Sequence, residues 1–146
     1  MKLSTKGRYG LKAMFELAVK EGEGPTSLKY IAERQGLSDQ YLEQLFSTLR
    51  RAGLVKSVRG AQGGYLLSKP AEQITVGDII RVLEGPIAPS DCVLESDTEC
   101  EKSDMCVTKV IWERIKLSID DVIDSITLKD MVMDYRQKIK VKIGEE

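Results

Sequence analysis

Over residues 5–21, Leu11, Ala13, Met14, Phe15, Leu17 and Ala18 recur at helical spacing and make one broad apolar stripe, which predicts a first helix. Gly22, Gly24 and Pro25 stop it. Ser27 then caps a short second helix through Gln35 with Leu28, Ile31 and Ala32 facing inward, and Gly36 suits the left-handed turn that ends it. Ser38 caps a third helix over residues 39–52, closed by Gly53. Two helices joined by a tight Gly-containing turn outline a helix-turn-helix. A strand over 55–59, the loop Gly60-Ala61-Gln62-Gly63-Gly64 and a returning strand over 65–67 read as a hairpin, placed where a wing belongs.

Thr75-Val76-Gly77-Asp78 is a capping-box-like start for a fourth helix ending at Gly85-Pro86. Residues 86–105 have no periodicity and are acidic. A long fifth helix follows to about residue 125, and Thr127-Leu128-Lys129-Asp130 caps a last one. In the fifth, Val107, Ile111, Ile115, Ile119, Val122 and Ile126 run in steps of three or four, widened by Val110, Trp112 and Leu117. So wide an apolar arc needs more than its own small head to bury against, and a second copy of the chain is the economical solution. A two-fold homodimer also sets two recognition helices about one DNA turn apart. The expected fold is mainly α with a small β-hairpin wing: a winged helix-turn-helix head over 1–84, a cysteine-bearing loop over 85–106, and a dimerisation helix with a C-terminal helix over 107–146.

Composition narrows the setting. The 146 residues fit one compact head plus a dimerising extension. Lys2, Lys6, Arg8 and Lys12 interrupt the N-terminal stretch, which excludes a signal peptide, and no run approaches the ~20 apolar residues of a membrane span. The expected location is the cytoplasm, with no membrane partner. There, three cysteines are not expected to form structural disulfides, and an odd count fits a metal or redox site better. The net charge of −1 argues against nucleic acid until it is divided along the chain. Residues 1–70 hold 12 Lys and Arg against 6 Asp and Glu, a balance of +6, whereas residues 71–146 hold 10 against 17, a balance of −7. Only the head is therefore expected to meet phosphate, unless two solvated surfaces differ by chance.

On the third helix, Leu42, Leu45, Phe46 and Leu49 gather on one side, and Gln40, Glu43, Gln44, Ser47 and Arg51 on the other. The polar types suit double-stranded DNA: Gln pairs with adenine, Glu accepts from the cytosine amine, and Ser and Arg hold phosphate or guanine. The bland reading is a solvated helix face; position as the second helix of the turn motif favours DNA. Arg59 at the wing base can enter a narrow minor groove, with Gly60 beside it able to take positive φ. Glu43, repelled by phosphate, would penalise wrong sites unless it pairs with Arg50 or Arg51 on its own helix.

Cys92, Cys100 and Cys106 are spaced C-x7-C-x5-C. This matches neither the paired knuckles of zinc sites nor the C-x-x-C of thiol oxidoreductases. Three thiolates from one loop can hold most of an iron–sulfur cluster, whose irons need soft ligands, or they can be three surface thiols.

With these residues assembled, the chain resembles the bacterial IscR/NsrR/CymR group of winged-helix regulators along nearly its whole length. The resemblance is carried by Met1-Lys2-Leu3-Ser4-Thr5-Lys6-Gly7-Arg8-Tyr9-Gly10-Leu11, by Tyr41-Leu42-Glu43-Gln44-Leu45, and by Gly53-Leu54-Val55 with Val58-Arg59-Gly60 and Gly63-Gly64-Tyr65-Leu66-Leu67. Cys92, Cys100 and Cys106 look like the cluster ligands of its IscR-type branch, in contrast to the cysteine-metabolism repressors of the group that lack a cluster. The resemblance implies a homodimer that represses iron–sulfur cluster biogenesis genes when loaded, with 2Fe–2S ahead of 4Fe–4S. In that branch a His follows the third cysteine by three positions; here the residue is Lys109, and the chain has no histidine. A lysine ammonium has no lone pair to give. Arg8 stands where the nitric-oxide-sensing branch uses an Asp. The fourth ligand is a carboxylate, a deprotonated Lys109, a backbone atom or a small molecule. Competing with the cluster regulator are a thiol-redox or cysteine-metabolism repressor without a cluster and an iron–sulfur electron carrier. No nucleophile–base pair or phosphate-binding glycine motif points to an enzyme.

Overall fold

The computed structural model describes residues 3–93 and 106–144. Its elements are α1 (Thr5–Val19), α2 (Leu28–Gln35), α3 (Asp39–Arg51), β1 (Val55–Val58), β2 (Gly64–Leu67), α4 (Val76–Glu84), α5 (Val107–Ser125) and α6 (Leu128–Lys142), with 3-10 turns at Ala71–Gln73 and Asp91–Val93. Among the described residues, six α-helices and one antiparallel hairpin make the expected mainly α architecture with a wing.

Helix starts follow the expected capping chemistry. Ser27 Oγ accepts from Tyr30 N (3.1 Å) and Ser38 Oγ from Tyr41 N (3.1 Å), so each relieves one of the unpaired amides of a first turn. Gly36 takes φ 66° and ψ 36°, the left-handed turn between α2 and α3. At Thr75 and Thr127 both arms of a capping box form, with Asp78 and Asp130 reaching back. Ser4, which the apolar pattern did not single out, caps α1 by accepting from Lys6 N (3.2 Å). α1 ends at Val19, two residues earlier than expected, and β1 at Val58, which leaves Arg59 in the loop.

The core gathers Met14 and Leu17 of α1, Ile31 of α2, Leu42, Phe46 and Leu49 of α3, and Ile79 of α4. Two residues of α6, Leu128 and Val132, belong to the same core, and Tyr135 meets Phe15 edge-on at 5.2 Å. The last helix thus returns to the head. Its start is tied to that of α4 by Val76 N donating to Ile126 O (2.8 Å) and Leu128 N to Ile74 O (2.9 Å). α5 bridges the two, and none of its residues is buried. Among the described residues no helix is long and apolar enough to cross a membrane.

Candidate nucleic-acid interface and cysteine loop

α3 divides by its 3.6-residue period. Leu42, Leu45, Phe46 and Leu49 are buried, while Gln40, Glu43, Gln44 and Arg51 are exposed and Ser47 is half-buried. Neither Arg50 nor Arg51 pairs with Glu43: Arg50 Nη1 donates to Ser57 Oγ (3.5 Å) and Arg51 Nη2 to Thr48 Oγ1 (3.5 Å). The Glu43 side chain is exposed, and among the described residues the two arginines of its own helix turn to other partners. The N-terminal turn of α3 is pinned to α1, where Tyr41 Oη donates to Thr5 Oγ1 (3.0 Å) and its ring meets Tyr9 edge-on at 6.1 Å.

The wing is fastened to the same unit. Phe46 of α3 packs on Tyr65 of β2, with ring centroids 4.7 Å apart. Tyr65 also exchanges two backbone bonds with Thr26, at 3.0 and 2.8 Å, so Thr26 acts as a one-residue third strand. Arg59 is exposed just past β1, and Gly60 adopts φ 112°, a conformation that suits glycine alone. The structure thus moves Arg59 from the expected wing base to the loop at the far end of the hairpin, and the reading face of α3 and the strands of the wing are held on one braced scaffold.

The cysteine constellation is only partly on view. The Cys92 side chain and all of Cys100 lie outside the described residues, and with them any convergence of the three thiols. The backbone of Cys92 lies in the Asp91–Val93 turn, which packs on α5. Cys106 is half-buried at the N-cap of α5, its Sγ 3.1 Å from Thr108 Oγ1, where the positive end of the helix dipole favours anionic sulfur. Lys109 is half-buried one turn further on, and Arg8 is exposed on α1.

Polar groups that sequence reasoning missed join elements across the head. Glu16 is buried on α1 and accepts from Gln35 Nε2 (2.8 Å), with Arg34 Nε at 3.5 Å. Glu84, at the end of α4, accepts from Ser4 Oγ and from Gly7 N (2.9 Å), and the serine bond foremost holds its carboxyl below the usual range. Arg81 grips Asp124 and Asp120 of α5. Hydrogen bonding to Asp124 foremost raises the Arg81 pKa; Asp124 is lowered chiefly by Arg81, and Asp120 chiefly by Lys116. The spacing 116, 120, 124 on one helix face was the available signal for that stripe.

A turn motif with an exposed polar second helix and a braced hairpin defines a winged helix-turn-helix DNA-binding protein. The Rrf2 model, described as an iron-dependent transcriptional regulator, matches residues 3–134, and the chain belongs to that family. The transcriptional regulator CymR of Bacillus subtilis (strain 168) is 56% identical over 131 residues, covering 90% of this chain and 89% of that one. The solved structure of CymR, the global cysteine regulator of B. subtilis, superposes with TM-score 0.75 at 55% identity, over 91% of this chain and 97% of the other. That of IscR from T. potens gives TM-score 0.77 at 58% identity, over 92% and 88%. These relatives are regulators and not enzymes, and this chain is a transcription regulator.

Proposed function

We propose that the chain is a homodimeric repressor of double-stranded operator DNA whose binding is controlled by an iron–sulfur cluster on Cys92, Cys100 and Cys106, and that it governs genes of cluster biogenesis. Gln40, Glu43, Gln44, Ser47 and Arg51 meet bases and phosphates in the major groove, and Arg59 with Gly60 meets the minor groove. The observation that carries the DNA reading is the exposed polar face of α3, Glu43 included, beside a hairpin whose loop begins at the exposed Arg59. The homodimer rests on α5, a 19-residue helix with an apolar stripe and no buried residue. Support for the cluster comes from donor chemistry. Cysteine thiolates suit iron, and Cys106 lies at a helix N-terminus that favours their charge. The family's iron-dependent description and the 58% identity to T. potens IscR point the same way. When bound, the cluster would supply a redox- and iron-sensitive cross-link between the cysteine loop and the start of α5, where Lys109 stands in the first turn.

The 56% identity to B. subtilis CymR favours a second reading, a cysteine-metabolism or thiol-redox repressor without a cluster. An anaerobic visible spectrum of the purified chain, with iron and sulfide counts, separates the two. A cluster gives visible absorption with iron and sulfide in equal number, and Cys92→Ala, Cys100→Ala or Cys106→Ala each abolishes it while the chain stays folded. Full iron and sulfide in any single variant would exclude the three-thiolate site, and a colourless native protein favours the second reading.

A further inference from the structure

α4 belongs to the core of the head through Val76 and Ile79, whereas α5 buries no residue. At one point of their crossing a polar network joins them. Arg81 Nη1 donates to Asp124 Oδ1 (2.6 Å) and Nη2 to Asp124 Oδ2 (2.8 Å), the two-pronged geometry in which guanidinium and carboxylate match. Nη2 also donates to Asp120 Oδ1 (3.1 Å), and Asp120 Oδ2 accepts from Lys116 Nζ (2.7 Å). Gly77, one turn earlier on α4, lies against the same carboxylate, and any Cβ there would collide with Asp124 Oδ1. The missing side chain at Gly77 thus leaves the space in which the fork forms. Beside it, Ile80, Ile119 and Ile123 line an open cleft of about 320 Å³, so apolar packing alone leaves the helices room to rock.

We infer that Arg81 is a positioning residue: its grip on Asp124 and Asp120 sets the angle at which α5 leaves the head, and so the half-site spacing that the dimer reads. The inference rests on the proposed homodimer and its operator binding. The fork holds α5 near its C-terminal end, leaving about 15 residues, or ~23 Å, of helix as a lever. A tilt of about 10° moves the far end of that lever by ~4 Å, more than the ~3.4 Å rise of one base pair. In a two-fold dimer the same error enters from both heads.

The test begins with operators selected by the native full-length protein from random duplex DNA. Affinities are then measured on the selected operator, on versions with the centre lengthened or shortened by one base pair, and on an isolated half-site. Native protein, Arg81→Met and Asp124→Asn are compared. The expected result is a sharp spacing preference in the native protein that falls about 5-fold or more in both variants, with half-site affinity unchanged. A merely structural loss of folded protein lowers binding on every DNA alike and leaves the spacing ratio where it was. Should Arg81→Met fail to fold, Asp124→Asn, which keeps Arg81 and the shape of the pair, decides. Equal spacing ratios in native and variant proteins overturn the inference while leaving operator binding intact, as does a native protein indifferent to spacing. A native protein that selects no DNA overturns the proposed function itself, and the inference with it.

Discussion

Between Gln40 and Arg51, Glu43 is the one acidic side chain, and it stands exposed on a face proposed to meet a polyanion, with Arg50 and Arg51 turned to Ser57 and Thr48. Such a residue adds no general affinity; it is satisfied by a donor such as the cytosine amine and penalised elsewhere. Glu43→Ala is expected to relax operator choice, losing about 1–3 kcal/mol of discrimination at the base it reads. Kd values on a panel of operators substituted at single positions check this, and an unchanged panel clears Glu43 of site choice. Arg59 has the opposite character. Arg59→Ala is expected to cost about 1–3 kcal/mol on a specific site and to flatten the salt dependence of binding by about one counterion. Retention of both affinity and slope would remove the wing from the interface. The polar face of α3 was legible in the sequence because a regular helix repeats its faces every 3.6 residues. The roles of Glu16, Arg81 and Glu84 were not, because their partners Gln35, Asp124 and Ser4 lie 19, 43 and 80 positions away.

At the scale of elements, legibility followed the caps. Ser27, Ser38, Thr75 and Thr127 marked four helix starts that the structure reproduces, since the same side-chain oxygen that suits a turn also satisfies the first free amides. Thr26 as a strand stub escaped notice because a single residue has no period. The docking of α6 on α1 escaped it too, because an apolar stripe tells that a face is buried without naming the surface that buries it. α1 has no acidic residue in its own first turn, and Glu84 supplies one from the end of α4. That carboxylate faces free amides at the positive end of a helix, so Glu84→Gln is expected to destabilise the fold by roughly 1 kcal/mol at pH 7. Its folded-state pKa is depressed, so its ionic contribution is complete above the unfolded value of about 4.3 and disappears as pH falls through the lower folded value. Urea unfolding of native and Glu84→Gln protein should therefore differ most near neutrality and converge in acid. A gap independent of pH would mean that shape rather than charge is what Glu84 contributes.

Along the chain the charge divides into a basic first half and an acidic remainder, and among the described residues α5 carries the largest share of the exposed large apolar side chains, with Met133, Ile139 and Val141 on α6 adding to it. Ile111 is 50% exposed and Val122 57%, and with Ile115, Ile119 and Ile123 they line an open, mainly apolar groove of about 610 Å³ that Arg114 and Ser118 edge. A mainly apolar face on a helix that contributes nothing to its own core suits the proposed homodimer, in which a two-fold copy presents the same face in return. A glutamate placed on it would meet apolar surface and, near the axis, its own counterpart, and burying an unpaired carboxylate is strongly unfavourable. Ile111→Glu and Val122→Glu are accordingly expected to sediment as the 16.3 kDa single chain. Their heads should melt almost as the native one does, because the core lies in α1 to α4 and α6. Operator affinity should fall to that of an isolated half-site, since each head then binds alone and pays the full entropic cost of association. Addition of salt should weaken the monomer about half as steeply on a logarithmic scale, because one head releases half the counterions. A variant that stays dimeric with native operator affinity would move the seam off α5, and with it the lever through which Arg81 is proposed to set the spacing.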